Sequence, residues 1–509
     1  MVALPGDPTG TDPALTDNLN ANMVYVQVIE GLMGFAPGSS EVVPVLATDY
    51  QVSDDALTYT FKLREGVKFH DGTAFDSAAV KATFDRLINF AADLQPRANG
   101  DLRGIGGFGE NANIASVEAP DPQTAVFTLR TPQSNLLSLL AMPAFAIQSP
   151  TALAAGKADN TETDPTKISA LQGGEGAMVG TGPFKFKEWV PNDHLTIERN
   201  ADYWNADGQA YLDTVIYKPI TDSSASVNAL QTGEVDIVLQ LAPSDVPVLQ
   251  GNADAQLITR PESKGISDLR FNLSFDSVKD VRVREAIGYA LNRESYVQAF
   301  HAGFGEVPTG WMPVGADFFK AEPLEYDPEK AKALLKEAGA EGRTIDFYYP
   351  TDVSRPYMPD PRGLFQAITR DLEAVGLKIE PHGLPWSPDY LEQAATAKLS
   401  MYLMGMVAPQ TNPQTWFGPG RFRYLDGKPS GYYSWENQEV QDLMAKATVA
   451  TDQAEATELW GQVQDIIRKD LPSIPLVNPI VPGGQANYVK GFVPAGSQLE
   501  YLNTVWLDQ

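Results

Sequence analysis

The sequence predicts an α/β protein. Segments with apolar residues at helical spacing interleave with segments of strict apolar–polar alternation along the whole chain, and no internal repeat or low-complexity tract interrupts them. With 43% hydrophobic residues over 509 positions, there is ample material for packed cores. At roughly 100 to 200 residues per domain, the length predicts two to four domains.

The segment Met1 to Pro5 reads as a first strand. Leu57-Thr-Tyr-Thr-Phe-Lys-Leu63 alternates at period two and Thr124-Ala-Val-Phe-Thr-Leu129 is equally β-rich, so both predict half-buried strands. After Asp76 and Ser77, candidate caps, the positions Val80, Phe84, Leu87 and Ile88 make one stripe of an amphipathic helix over 77–90. Asp327-Pro328, then Ala331, Leu334 and Leu335, closed by Gly339, has cap, first-turn proline and terminal glycine in helical order. Two further stripes are Leu364, Phe365, Ile368, Leu372 and Val375 before Gly376, and Leu459, Trp460, Val463, Ile466 and Ile467 before Pro472. All four are expected to face cores. Pro, Gly, Asn and Ser cluster at 95–110, 150–182 and 408–431, which predicts long loops that act or mark boundaries. The glycine-rich run 173–182 is expected to be flexible enough to end a subdomain.

Composition removes whole classes of function. Lys and Arg number 38 against 65 Asp and Glu, a formal charge of −27, and this repels nucleic-acid phosphates and anionic lipid surfaces. The absence of cysteine excludes disulfides, thiolate nucleophiles, zinc ribbons and iron–sulfur clusters. No stretch approaches 18 consecutive apolar residues, the length of a membrane-spanning helix. The first residues lack a basic stretch followed by an apolar run, so an exported protein would have lost its signal peptide before this sequence begins.

The same scan finds little reaction chemistry. His70, His194, His301 and His382 are far apart in sequence and match no metal-ligand spacing. Gly104-Ile-Gly-Gly-Phe-Gly109 fits a dinucleotide fingerprint in letters only, with neither strand before nor helix after, and reads as a loop. There is no nucleophile elbow, phosphate loop or calcium loop. A pair of carboxylates acting on a glycosidic bond stays open, though a solvated acidic surface accounts for the same residues.

Several blocks in order resemble one family, the extracytoplasmic solute-binding proteins of ATP-driven importers for peptides, nickel, opines and related solutes, family 5. They are Gly6-Asp-Pro-Thr-Gly-Thr-Asp-Pro13, Val28-Ile-Glu-Gly-Leu32, the run from Leu57 through Phe69-His-Asp-Gly72, and Gly180-Thr-Gly-Pro-Phe184. Glu198-Arg-Asn-Ala-Asp-Tyr-Trp204, Leu230-Gln-Thr-Gly-Glu-Val-Asp236, Asp280 to Arg293, Tyr326 to Ala331 and Leu471-Pro-Ser-Ile-Pro-Leu476 follow. The resemblance implies a two-lobed periplasmic binding protein of the larger, three-domain, class II type, with a hinge and a ligand cleft between lobes. Lobe I would comprise 1–30, 181–261 and 481–509, an inserted subdomain 31–180, and lobe II 262–480, with crossings near 261–271 and 478–485. His70 and Asp71 are expected to be scaffold.

By the same resemblance the ligand loops are Ser354-Arg-Pro-Tyr-Met-Pro-Asp360, the surroundings of Trp386, and Met404 to Trp416. Arg355 would take a ligand carboxylate, since a guanidinium fork matches two oxygens. Tyr357 and Trp386 would wall the pocket or pack as core, beside Met404, Gly405 and Met406. Peptide binders of the family carry an acid for the ligand ammonium where this chain has Pro409, in Gly405-Met-Val-Ala-Pro-Gln-Thr-Asn-Pro413. A proline offers neither charge nor N–H. An amino-blocked peptide, an opine-like conjugate, a sugar or sugar phosphate would then suit Gln410, Asn412, Trp416, Arg421 and Arg423, unless the loop is displaced and Asp389 serves as the acid. The expected function is capture of a peptide or peptide-like solute for a membrane permease of the ABC type, in the periplasm, by a monomer without cofactor, bound metal or nucleic acid. An oligosaccharide, opine or metal chelate is the alternative cargo. An enzyme or a chaperone on this scaffold is less favoured.

Overall fold

The computed structural model describes residues 1–16, 18–103, 107–313, 324–408, 412–418, 421–424 and 427–508, with the Gln453 side chain left aside. Gly104 and Gly106 of the fingerprint-like run, and Pro409 and Gln410, lie outside the described residues. The chain divides into two compact units, one of Met1–Leu241, Pro247–Pro261 and Pro482–Gln509, the other of Ala242–Val246 and Glu262–Val481. Among the described residues no helix is long and apolar enough to cross a membrane.

The first unit is built around a seven-stranded mixed sheet. Val2–Leu4 lies near its centre, parallel to Thr214–Pro219 on one side and Ile237–Val238 on the other, with all three of its side chains buried. The expected first strand is therefore present, and it ends at Leu4. A separate antiparallel sheet orders Ala47–Val52, Thr58–Leu63, Thr124–Leu129 and Ile114–Asp121. Both strands expected here form, and they pair with each other, Phe61 opposite Ala125. The helix Ser77–Ile88 starts where Asp76 accepts the backbone N–H groups of Ala78 and Ala79, at 3.0 and 3.1 Å. Its stripe of Val80, Phe84, Leu87 and Ile88 is buried, and Phe84 meets Phe127 edge to face at 4.7 Å. The two sheets have separate cores, one drawn from residues 14–171 and one centred on the larger sheet.

The His70 and Asp71 segment is tied into the fold by hydrogen bonds. The His70 N–H donates to Gly180 O and its Nε2 lies 3.0 Å from Gly182 O, while Ser149 and Thr73 donate to Asp71. Within 173–182, Gly180 and Gly182 lie in close packing. A Cβ on Gly180 or Gly182 would strike the Val28 carbonyl at the end of the helix Leu19–Val28, and Gly182 N–H donates to that same oxygen at 3.0 Å.

The second unit has a six-stranded sheet in the order Gly305–Glu306, Ser473–Pro479, Gly265–Phe271, Met401–Val407, Thr344–Pro350, Lys378–Leu384. Gly265–Phe271 is antiparallel to both neighbours and buried at every residue. The three expected helices form as Pro328–Glu337, Pro361–Ala374 and Gln453–Asp470, each behind an aspartate cap, Asp327, Asp360 and Asp452. Leu334, Leu459 and Ile466 are half-buried at the edges of their stripes; Leu335, Leu372, Trp460 and Ile467 are core.

Candidate ligand-binding site

The segment after Thr344–Pro350 reverses tightly. Arg355 and Met358 exchange both backbone hydrogen bonds, at 3.1 and 2.8 Å, and Ser354 Oγ donates to Pro359 O. The reversal turns Tyr357 and Met358 inward and leaves Arg355 exposed. Tyr357 lies against Gly405, where any Cβ would collide with its ring and with the Ile266 carbonyl, so only glycine admits this approach. Burial pushes the Tyr357 hydroxyl up; Arg355 and Arg270 pull it back and Asp268 adds to the rise, which marks the charges around it.

Trp386 is half-buried. Its backbone N–H donates to Asp352 at 2.7 Å, and its ring stacks with Tyr390 at 5.7 Å and 21°. Tyr390 is fixed by donating its hydroxyl to Leu403 O at 2.6 Å. The Arg355 guanidinium sits 5.2 Å over the Trp386 ring. Among the described residues Arg355 has no carboxylate partner, so a ring-backed cation is presented to solvent. Asp389, the other acid considered, follows Trp386-Ser-Pro388 and is exposed.

Met404 and Met406 share the opposite face of their strand from Gly405, by alternation. Met404 is buried with Tyr390 and Tyr402, whereas Met406 keeps some exposure. Beneath Met406 lies a cluster that the sequence scan missed. Asp268, fully buried, pairs with Arg270 and with Arg421, each at 2.9 Å. One carboxylate between two guanidiniums leaves a net charge of +1. Arg421 also donates to the carbonyls of Trp311 and Trp416 at 3.1 and 2.9 Å and touches Met406 Sδ at 3.8 Å. The signal for it was two opposite charges at alternate positions in Ser267-Asp-Leu-Arg270, which by itself resembles a solvated strand face.

Four expectations change here. Trp416 has no exposed surface and belongs to a core with Phe417 and Trp460, so it offers no face for stacking. Arg421 is 4% exposed and committed to Asp268 and two carbonyls, which makes it a structural cation. Asn412 caps the short helix Pro413–Trp416 by accepting from Gln414 N–H at 2.8 Å. Arg423 likewise packs inward, donating to Thr448 Oγ1 at 3.0 Å. Arg355, Trp386, Tyr357 and Gly405 are the residues that the fold gathers.

Among the described residues, the second unit thus presents a cation on an aromatic support, Arg355 on Trp386, beside Tyr357 and Gly405. The model of the bacterial extracellular solute-binding proteins, family 5 middle, matches residues 41–423, and the chain belongs to that family. It is similar to the glutathione-binding protein GsiB of Escherichia coli strain K12, 31% identical over 506 residues, spanning 97% of this chain and 91% of that protein. The periplasmic binding protein DppA from Helicobacter pylori in complex with the peptide STSA has 26% identity and a TM-score of 0.78, covering 100% of this chain and 98% of that one. AgaA of A. tumefaciens in complex with agropinic acid has 25% identity and a TM-score of 0.73, with 100% and 98% coverage. The fold is accordingly that of the two-lobed periplasmic binding proteins.

Proposed function

We propose that the chain is the periplasmic binding component of an ABC importer for short peptides or peptide-like solutes, that it works as a monomer, and that Arg355 takes the solute's carboxylate. The observation that carries this is Arg355 itself: exposed, backed by Trp386 and without an acidic partner among the described residues. Family membership supports the transport role, and glutathione, the ligand named for the GsiB relatives, is a tripeptide with free carboxylates. Tyr357 and Trp386 supply aromatic area beside the cation, and Met406 an apolar, adaptable edge.

Calorimetry with glutathione and with matched free and N-acetylated short peptides tests the proposal. A hydrogen bond to a charged group contributes about 1.5 to 3 kcal/mol. Arg355→Ala should therefore weaken the best ligand about 10- to 150-fold, taking ~1.4 kcal/mol per decade. If acetylation costs little, recognition rests on the anionic end, as Pro409 in place of an acid suggests. Undiminished affinity in Arg355→Ala would remove the proposed anchor.

A further inference from the structure

The first unit contains a cavity of about 260 Å³ remote in sequence from Arg355 and its neighbours. Its wall is largely apolar, with Met33, Phe35, Val43, Met142, Pro143 and Pro183. Two charged side chains reach it, Glu30 and Arg64.

Glu30 is saturated by neutral donors. Thr181 Oγ1 and Trp204 Nε1 donate to its Oε2 at 2.7 and 2.8 Å, and the Tyr203 hydroxyl donates to Oε1 at 2.7 Å. These bonds hold the carboxylate in place and keep it from closing on Arg64. Burial pushes the Glu30 carboxyl up, and those donors and the Arg64 charge pull it back.

Arg64 is anchored by one atom only. Its Nε donates to Val45 O at 2.6 Å and its guanidinium lies 4.4 Å over the Trp204 ring. Its two terminal nitrogens make no hydrogen bond to any described residue. A planar cationic fork, braced on an indole at the edge of a small apolar cavity, has the geometry that receives a carboxylate with two parallel hydrogen bonds.

We propose that this cavity is a second binding site, taking a small organic acid with its carboxylate on Arg64 and its apolar body against Met33, Phe35, Met142 and Pro143. At ~30 Å³ per water the space equals roughly nine waters, enough for one ring or a short branched chain. The site is independent of the solute proposed for Arg355.

The test uses phenylacetate and 4-methylpentanoate as probes and 2-phenylethanol as the neutral counterpart, by calorimetry and saturation-transfer NMR on the full chain. It is run on wild type and again in an Arg355→Ala background, so that acid held at Arg355 is not counted. In the Arg355→Ala chain the acids should saturate one site and bind at least ten-fold more tightly than the alcohol, and wild type should retain that site. Arg64→Gln should remove that preference, and Val43→Trp, filling the cavity from its half-exposed wall, should block binding. Equal affinity for acid and alcohol, absence of saturable acid binding in the Arg355→Ala chain, or full binding by a folded Val43→Trp variant would overturn the proposal. The acid–alcohol comparison needs no substitution in the cavity and stands even if Arg64→Gln fails to fold.

Discussion

Asp268→Asn should destabilise the second unit by about 3 to 5 kcal/mol, the cost of breaking a buried ion pair from one side. Asp268 is 0% exposed, and each of its two oxygens holds a different guanidinium at 2.9 Å. The native cluster carries one negative and two positive charges, a net +1; the substitution makes it +2 with both cations still out of water. For a unit of this size each kcal/mol moves Tm by ~2–4 °C, so the fall should be roughly 6 to 20 °C. Arg421→Met is also destabilising, because it strands the carbonyls of Trp311 and Trp416. The double variant Asp268→Asn/Arg421→Met returns the cluster to +1, as in the native chain. Its loss should therefore fall short of the sum of the singles by at least ~1 kcal/mol. Urea unfolding followed by near-UV circular dichroism, with scanning calorimetry at neutral pH, on all four proteins measures both quantities. A loss under ~1 kcal/mol for Asp268→Asn, or additivity within ~0.5 kcal/mol, would refute the charge count.

Gly405→Ala should cost about 1 to 3 kcal/mol by overpacking against Tyr357, and should weaken peptide binding as that ring shifts; unchanged Tm and affinity together would contradict it. Burial lowers His70 and His301 to about 4, from ~6.5 when unfolded. The stability of their neutral forms is fully present above pH ~6.5 and is lost as pH falls toward 4. In that window the unfolded chain binds more protons, with a slope of up to ~1.4 kcal/mol per pH unit per histidine. His301→Gln should flatten the acid limb of the stability profile, and an identical limb would show that burial of this ring does not set it. In the first unit Arg260 and Glu500 pair at 2.7 Å with 1% and 2% exposure. Glu500→Gln should therefore cost about 3 to 5 kcal/mol in denaturant unfolding, more than the Arg260→Met/Glu500→Met double change, which leaves no lone charge.

The chain's local elements were legible because their determinants are local. Asp76 and Asp327 cap helices whose apolar stripes follow within one or two turns, and the stripes face the cores as the period requires. Alternation in Leu57–Leu63 likewise predicts a strand, because successive side chains must face opposite sides. The candidate site was legible only in part. Arg355, Tyr357 and Trp386 sit in short loops that motif order marks out, and they do gather. Trp416 and Arg421 have the right chemical type for a ligand, yet residue type cannot tell an indole stacked in a core from one facing solvent.

Sequence alone determined the α/β class, the family blocks, the absence of thiol chemistry and an anionic surface, since each follows from composition or near-neighbour order. Tertiary structure decided which charges are buried and with whom. Asp268 meets Arg421 across 153 residues, and Glu30 meets Trp204 across 174. Such pairings depend on which strands lie side by side and on what packs above and below them: Ser473–Pro479 and Met401–Val407 flank the edges of Gly265–Phe271, while Leu269 and Phe271 enter one core and Ile266 another. The cost of desolvating a charge is set by that enclosure, and enclosure is a property of the packed chain rather than of any segment of it.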